Sequence, residues 1–282
     1  LITAIHLANG TYVVNGSAPE ATFDAGTTSG TLLLLGEGDV ELIGLDGASP
    51  MLTVAAGAPP VTLRGLKLRG QLLIDGDAAA DVRVEACGFE DSAAAAGGAL
   101  AVHGGTVTVD DATFTNNSAA DKGGAVLVTG GSVAFARVSL RDNRAPRNGS
   151  AVHVAGGTVA FSECTVERNA AVESGGAIAV AAGDVTLSRT LLRSNLAAGA
   201  AQTITVEGGV VFYALPAPYG HWLPAYDTAS GDGRPGELLP PSWSATAAQY
   251  PYECAPGTVG DSENVSAQTN AGCARPCRAG SM

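Results

Sequence analysis

The feature that most constrains this chain is self-similarity at a fixed spacing. Thr106–Gly131, Ser132–Gly157, Thr158–Gly183 and Asp184–Gly209 lie under one another without a gap, each 26 residues long, and Asp81–Gly105 joins them after one deletion in its loop. A fixed period of this kind means one structural unit stacked on copies of itself, because each unit can bury its apolar face only against its neighbours. Reading down the columns, Val107, Val133, Val159 and Val185 are followed two places later by Val109, Phe135, Phe161 and Leu187. A second pair of columns holds Ala112 and Phe114, Val138 and Leu140, Cys164 and Val166, Thr190 and Leu192. A third holds Val126 and Val128, Val152 and Val154, Ile178 and Val180, Ile204 and Val206. Each pair alternates with small or polar residues, and a period of two marks a strand with one buried face.

Three short strands per coil predict an all-β fold, a right-handed parallel β-helix. Gly130–Gly131, Gly156–Gly157 and Gly208–Gly209 fall between strands, where a tight corner needs positive φ. Asn117, Asn143, Asn169 and Asn195 form one column at a strand exit, which reads as a structural ladder of stacked amides. The first eighty residues keep short apolar runs (Leu32–Leu35, Val40–Ile43, Met51–Val54, Val61–Leu68, Gln71–Ile74) with irregular corners. They read as about three earlier coils, making eight or so in all and a stack roughly 40 Å long. The β-helix is therefore expected over 1–209. From Val210 the period stops, and 210–282 reads as a cap followed by a Cys-containing tail. Phe212, Tyr213, Tyr219 and Trp222 with neighbouring prolines suit a cap that hides the last core cross-section and its strand edges, with an aromatic sugar platform as the alternative.

Composition agrees with such a stack. Aromatic residues are 5% and charged residues 15% of the chain, against 38 glycines, so the core is built from small side chains. A net charge of −12 with only 15 Lys and Arg leaves no basic patch for nucleic acid or an anionic membrane surface. No apolar run approaches the roughly 18 residues that span a bilayer. The chain opens at Leu1, which fits either a removed leader or a start inside a longer polypeptide.

Phe114-x-x-Asn117 followed by Gly123-Gly124-Ala125-Val126 resembles the paired FxxN and GGA(I/L/V) motifs of the chlamydial polymorphic outer membrane proteins, whose repeats also occur in algal and protist surface proteins. GGA recurs as Gly97–Leu100 and Gly175–Ile178, is altered at Ser150 and is lost in Ala201–Ile204. FxxN is strict only once, with Leu140, Val166 and Leu192 in place of Phe and Ser92 in place of Asn. The resemblance covers about Asp81 to Gly209 and implies a pectin-lyase-like β-helix displayed at a surface, with adhesion as the function by analogy. Tyr252-Glu-Cys254-Ala-Pro-Gly257 and Cys273-Ala-Arg-Pro-Cys277 resemble the start of an ephrin-receptor-like Cys-rich module, which implies a eukaryotic extracellular protein.

For a secreted chain the cysteines divide into two groups. Cys87 and Cys164 share an inward column three coils apart, about 14 Å, beyond the ~7 Å that a disulfide allows, so both are expected as buried free thiols. Cys254, Cys273 and Cys277 are expected to be oxidised, with Cys254–Cys273 as the internal bridge and Cys277 pairing elsewhere. Sequons at Asn9, Asn15, Asn116, Asn148 and Asn264 are permissive for N-glycosylation.

Catalytic chemistry finds little purchase. Asp110–Asp111 is the only adjacent acidic pair in the strict repeats, and it reads as a corner ion network with Arg83, Glu85 and Arg137. His6, His103, His153 and His221 show no metal-ligand spacing, and the glycines follow the structural period instead of opening a phosphate loop. The expectation is a non-enzymatic structural or adhesive module with no cofactor and no metal, whose partners are other protein chains or glycans. A polysaccharide-active or carbohydrate-binding β-helix and an ice-binding solenoid are the alternatives. Ala99, Ala125, Ala151 and Ala177, with Leu127, His153, Ala179 and Thr205 in the next column but one, are expected to point outward as a neutral strip that packs against another chain.

Overall fold

The computed structural model describes residues 2–14, 22–23, 30–45, 50–76, 80–197, 200–201, 203–214, 217–223, 236–239, 249–254, 258–259 and 275–276. The chain winds into a parallel β-solenoid of about 7 turns, rather fewer than the eight expected, with a repeat near 26 residues. Ile2 pairs with Thr31, Leu32 with Val61, Val61 with Val82 and Val82 with Val107, so the early coils are unequal in length. From Val107 the step is regular: Val107 pairs with Val133, Val133 with Val159, and Val159 with Val185.

Three faces enclose the core. Thr106–Asp110 and Ser132–Ala136 belong to the first, Thr113–Thr115 and Ser139–Arg141 to the second, Val126–Val128 and Ile204–Val206 to the third. In Val152–Ser162 and Ile178–Ser188 one strand runs on from the third face into the first of the next coil. The early segments also merge, since the two runs expected at Leu32–Leu35 and Val40–Ile43 are parts of the single strand Thr31–Gly44. A fourth ladder, not foreseen from the columns, stacks two-residue strands at Ala93–Ala94, Ser118–Ala119, Arg144–Ala145, Ala170–Ala171 and Leu196–Ala197. Strands this short carry too little alternation to be read from sequence.

The core is one continuous cluster, fed by the inward columns. Phe89 stacks on Phe114 at 4.5 Å between ring centroids, Phe114 meets Phe135 edge-on at 6.3 Å, and Phe135 stacks on Phe161 at 5.0 Å. Beside them runs the Asn ladder. Asn117, Asn143, Asn169 and Asn195 are all 0% exposed, and each Nδ2 of the first three donates to the Oδ1 of the next at 2.9 to 3.0 Å. The same Oδ1 atoms accept the backbone N–H of the Asn one coil earlier, so each amide satisfies the turn as well as its neighbour. Two further columns turn the chain with non-Gly residues in the left-handed region: Asp111, Arg137, Glu163 and Arg189 at φ 45 to 58°, and Asn116, Asp142, Arg168 and Ser194 at φ 54 to 58°. Each such residue costs about 1 kcal/mol, and it persists because strands on both sides fix its dihedrals.

The parallel ladder passes the expected boundary at 209 and continues through Val210–Ala214, with Val211 on Val185 and Tyr213 on Leu187. There the direction reverses. Gly236–Leu239 lies antiparallel on Val210–Ala214, and Gln249–Tyr250 lies antiparallel on Leu191–Arg193. Both cover edges that would otherwise template another coil. Tyr213 and Tyr250, each 0% exposed, close the core end edge-to-face at 5.6 Å, and the Tyr213 hydroxyl donates to the Thr190 carbonyl. Trp222 rests on Tyr252 and donates to the Glu253 carbonyl at 3.1 Å, part of this end structure.

The expected neutral strip is corrected by the packing. Ala99, Ala125, Ala151 and Ala177 are 0% exposed and point into a corner of the core, not outward. The backbone bends there: the N–H groups of Ala125 and of Val126 both reach the Ala151 carbonyl, at 3.2 and 2.9 Å, so alternation fails and adjacent residues both face in. In the next outward column His153 is 2% and Ala179 0% exposed, while Leu127 and Thr205 are half-buried, because the GGA turn folds back over the strand. Gly123 has φ +63°, and a Cβ there would sit 2.3 Å from the Val126 carbonyl oxygen. At Gly124 a Cβ would sit 2.2 Å from the Ser150 oxygen of the following coil. Ala125→Glu is therefore expected to prevent folding or to cost more than about 4 kcal/mol, since it buries an unpaired charge in a filled corner. Urea unfolding of the variant checks this, and wild-type stability would return the Ala column to the surface.

Candidate functional site

The geometry separates groups that hold the stack together from groups left over. Surface charges belong mostly to the first kind. Arg137 pairs with Asp110, Arg189 with Glu163 at 3.0 Å, Arg168 with Asp142 at 3.1 Å, and Arg193 with Glu167 at 2.7 Å, each across one coil step. Arg83 turns to Asp81 at 3.6 Å, and Glu85 is held by Arg64 at 2.8 Å. The corner network foreseen around Asp110–Asp111 thus takes in Arg137 but neither Arg83 nor Glu85. Its signal was present in the sequence as the alternating signs of the column Asp111, Arg137, Glu163 and Arg189.

Cys87 and Cys164 are free and buried. Each Sγ donates to two carbonyls, Leu63 and Glu85 for Cys87 and Phe135 and Ser162 for Cys164, at 3.3 to 3.6 Å. Burial pushes both thiols up to about 11, so neither offers a thiolate at neutral pH. Of the tail cysteines, Cys273 and Cys277 lie outside the described residues, and with them the Cys254–Cys273 pairing.

The sequons differ in access. Asn9 is exposed, and Asn116 is exposed with its Nδ2 donating to Asp91 at 2.6 Å. Asn148 is half-buried, its Nδ2 donating to Glu207 Oε1 at 2.8 Å, and the Ser150 hydroxyl of the same sequon is buried against the Gly176 carbonyl. Asn15 and Asn264 lie outside the described residues.

Among the described residues no group of three His, Cys, Asp or Glu is arranged to hold a metal ion, and no helix is long and apolar enough to cross a membrane. His6 reaches Glu37 at 2.6 Å, His103 reaches Asp75 at 3.3 Å, and His221 lies 2.9 Å from the Tyr219 carbonyl. His153 differs, since Gly149 passes close over it, where a Cβ would stand 3.1 Å from the His153 Cα, and its Nδ1 is buried without a partner. Burial, helped by the Lys122 ammonium and opposed by Asp121, pushes its imidazole down to about 4.

A cavity of about 400 Å³ opens over the corner between the first and second faces in the irregular coils. Asp39, Lys67, Glu90, Asp111 and Thr113 line it, and Lys67 Nζ lies 2.6 Å from Asp39 Oδ1. Sequence reasoning missed this gathering because Asp39 and Lys67 come from coils that do not keep the period of Asp111 and Thr113. On the first face Thr106, Thr108, Ser132, Ala134, Thr158 and Ala160 form an exposed uncharged patch, bounded by the exposed Arg83 on one side and Asp184 on the other.

Residues 111–129 match the Chlamydia polymorphic membrane protein repeat. The chain carries a Pmp-like repeat. Every motif position in that stretch has a structural duty: Phe114 fills the core, Asn117 joins the amide ladder, Gly123 and Gly124 let the turn close on the strand, and Ala125 fills the corner. No curated protein and no solved structure matches the chain significantly.

Two outcomes follow. Asn143→Leu leaves the Asn117 N–H and Nδ2 without their acceptor and the Asn169 Oδ1 without its side-chain donor, and should cost at least about 3 kcal/mol in denaturant unfolding. For His153, the unfolded chain takes up a proton near pH 6.5 and the folded chain only near 4. Stability from its neutral form is complete above 6.5 and is lost as pH falls to 4, by about 3 kcal/mol in all. His153→Leu, copying Leu127 of the same column, should lose that much less stability than wild type between pH 7 and 4. Parallel pH curves for the two proteins would contradict the assignment.

Proposed function

We propose that the chain is a structural or adhesive β-helix of an extracellular surface assembly, and that it acts without catalysis. The observation that carries this reading is the Pmp-like repeat at 111–129, in which the recurring residues serve the stack and supply no reactive group. A stack of this kind presents long flat faces at fixed spacing, which suits display and contact with other chains. The Cys-containing tail extends the reading: Cys254, Cys273 and Cys277 begin an ephrin-receptor-like module of a larger eukaryotic surface protein, with Cys254–Cys273 bridged. Among the described residues Asn9 and Asn116 are the sequons most open to glycans.

Antibodies raised against the chain should label intact cells of its source as strongly as permeabilised ones. Labelling that needs permeabilisation would sink the surface assignment. Alkylation and peptide mapping of the natural protein should find Cys87 and Cys164 modified only after unfolding and the Cys254 peptide only after reduction. A Cys254 that is alkylated without reductant would remove the disulfide part of the proposal.

One observation favours a second reading, a carbohydrate-binding cleft. The 400 Å³ cavity gathers three carboxylates, Asp39, Glu90 and Asp111, beside Lys67 and Thr113. If this cleft holds sugar, oligosaccharides should protect Lys67 from acetylation, and Glu90→Gln should abolish that protection while the unfolding midpoint stays put.

A further inference from the structure

The fourth ladder carries a groove that the stack does not use. Ser118, Arg144 and Ala170 form one wall and Pro146 and Val172 the other, over a floor of Ala119, Ala145 and Ala171, enclosing about 380 Å³. The strands run across it, since Ser118 pairs with Arg144 and Arg144 with Ala170, so the groove runs along the solenoid axis for roughly 10 Å. Val172 is 67% exposed, and Leu196, next along the column from Ala170, is 49% exposed. Such side chains on a soluble surface mark a contact site when they line a concave patch.

The charge of the groove points to its occupant. Arg144 is exposed and makes no ion pair among the described residues, in a chain of net charge −12. The acids around it are engaged elsewhere: Asp121 and Glu173 face Arg147 at 3.3 and 4.0 Å, Asp142 pairs with Arg168, and Glu167 pairs with Arg168 and Arg193. An unpaired guanidinium on the wall of an apolar groove matches a carboxylate flanked by aliphatic groups, which it can bind in bidentate fashion. A sugar would need a row of polar partners, and Ser118 is the only hydroxyl lining the groove. A second copy docking groove to groove would bring Arg144 no carboxylate, since none lines the groove.

We propose that this groove binds an extended segment of a partner protein in which one Asp or Glu lies between aliphatic residues, with the carboxylate on Arg144 and the aliphatic side chains between Pro146, Val172 and Leu196. The inference rests on the surface-module reading only for where the partner is met, and its test is made on purified protein, so it can fail while surface labelling succeeds.

The probe is the fluorescein-labelled peptide Gly-Val-Leu-Asp-Val-Leu and its Asn counterpart, titrated with the full chain by fluorescence anisotropy. The Asp peptide should bind about tenfold tighter than the Asn peptide. Arg144→Gln should bring that ratio to about one with an unchanged unfolding midpoint, because Arg144 is exposed and unpaired. Val172→Glu should weaken the Asp peptide at least about tenfold through lost apolar contact and like charge. No saturable binding, equal binding of the two peptides, discrimination that survives Arg144→Gln, or displacement of the peptide by a uronic-acid oligosaccharide would each overturn the proposal.

Discussion

Everything in this fold depends on hydrogen bonds that run between coils instead of within them. Along the ladders a backbone donor meets a carbonyl one coil away, as Thr113 N–H meets the Cys87 carbonyl at 2.9 Å, so a residue must be compatible with its own column above and below. The Asn ladder is the side-chain form of that rule. Asn143 is fully buried, and its amide is affordable only because Asn117 and Asn169 present the complementary atoms at 2.9 to 3.0 Å. A partly satisfied ladder would be worse than an apolar one, since an unpaired buried amide costs more than the bond contributes.

The same rule orders the surface. Identical charges stacked at a strand spacing would repel, and the columns avoid this by alternating sign, as Glu163 with Arg189 and Asp142 with Arg168 do. These pairs are exposed and individually weak, but they remove the repulsion that like charges would build into those columns; where Asp110 stacks on Glu85, Arg137 and Arg64 meet the two acids instead. Against that background Arg144, between Ser118 and Ala170, makes no ion pair among the described residues.

Residues that recur serve the stack, so recognition has to be found where recurrence lapses. Phe114, Asn117, Gly123, Gly124 and Ala125 explain how one coil sits on the next and identify no ligand, which is why the repeat match speaks for architecture first. The irregular early coils open the cavity beside Lys67, and the two-residue ladder opens the groove beside Arg144. The reversed strands at the far end belong to the same logic: they end the stack by pairing with the edges of Leu191–Arg193 and Val210–Ala214 that another coil would otherwise take.

The sequence by itself determined the coil. Period-two columns such as Val107 and Val109 identify the inward side of a strand, and a repeat of 26 residues sets each coil on the last, because both signals are local and survive without knowing the fold. It also placed Cys87 and Cys164 in one buried column, as they are found. Only the tertiary structure decided exposure at the corners. Ala125 and Val126 both face inward because the backbone bends between strands, where alternation has no meaning, and His153 is covered because the GGA turn folds back across its strand. The gatherings at Lys67 and Arg144 were likewise decided in three dimensions, since they join residues from coils of unequal length or from strands of two residues, neither of which leaves a period to read.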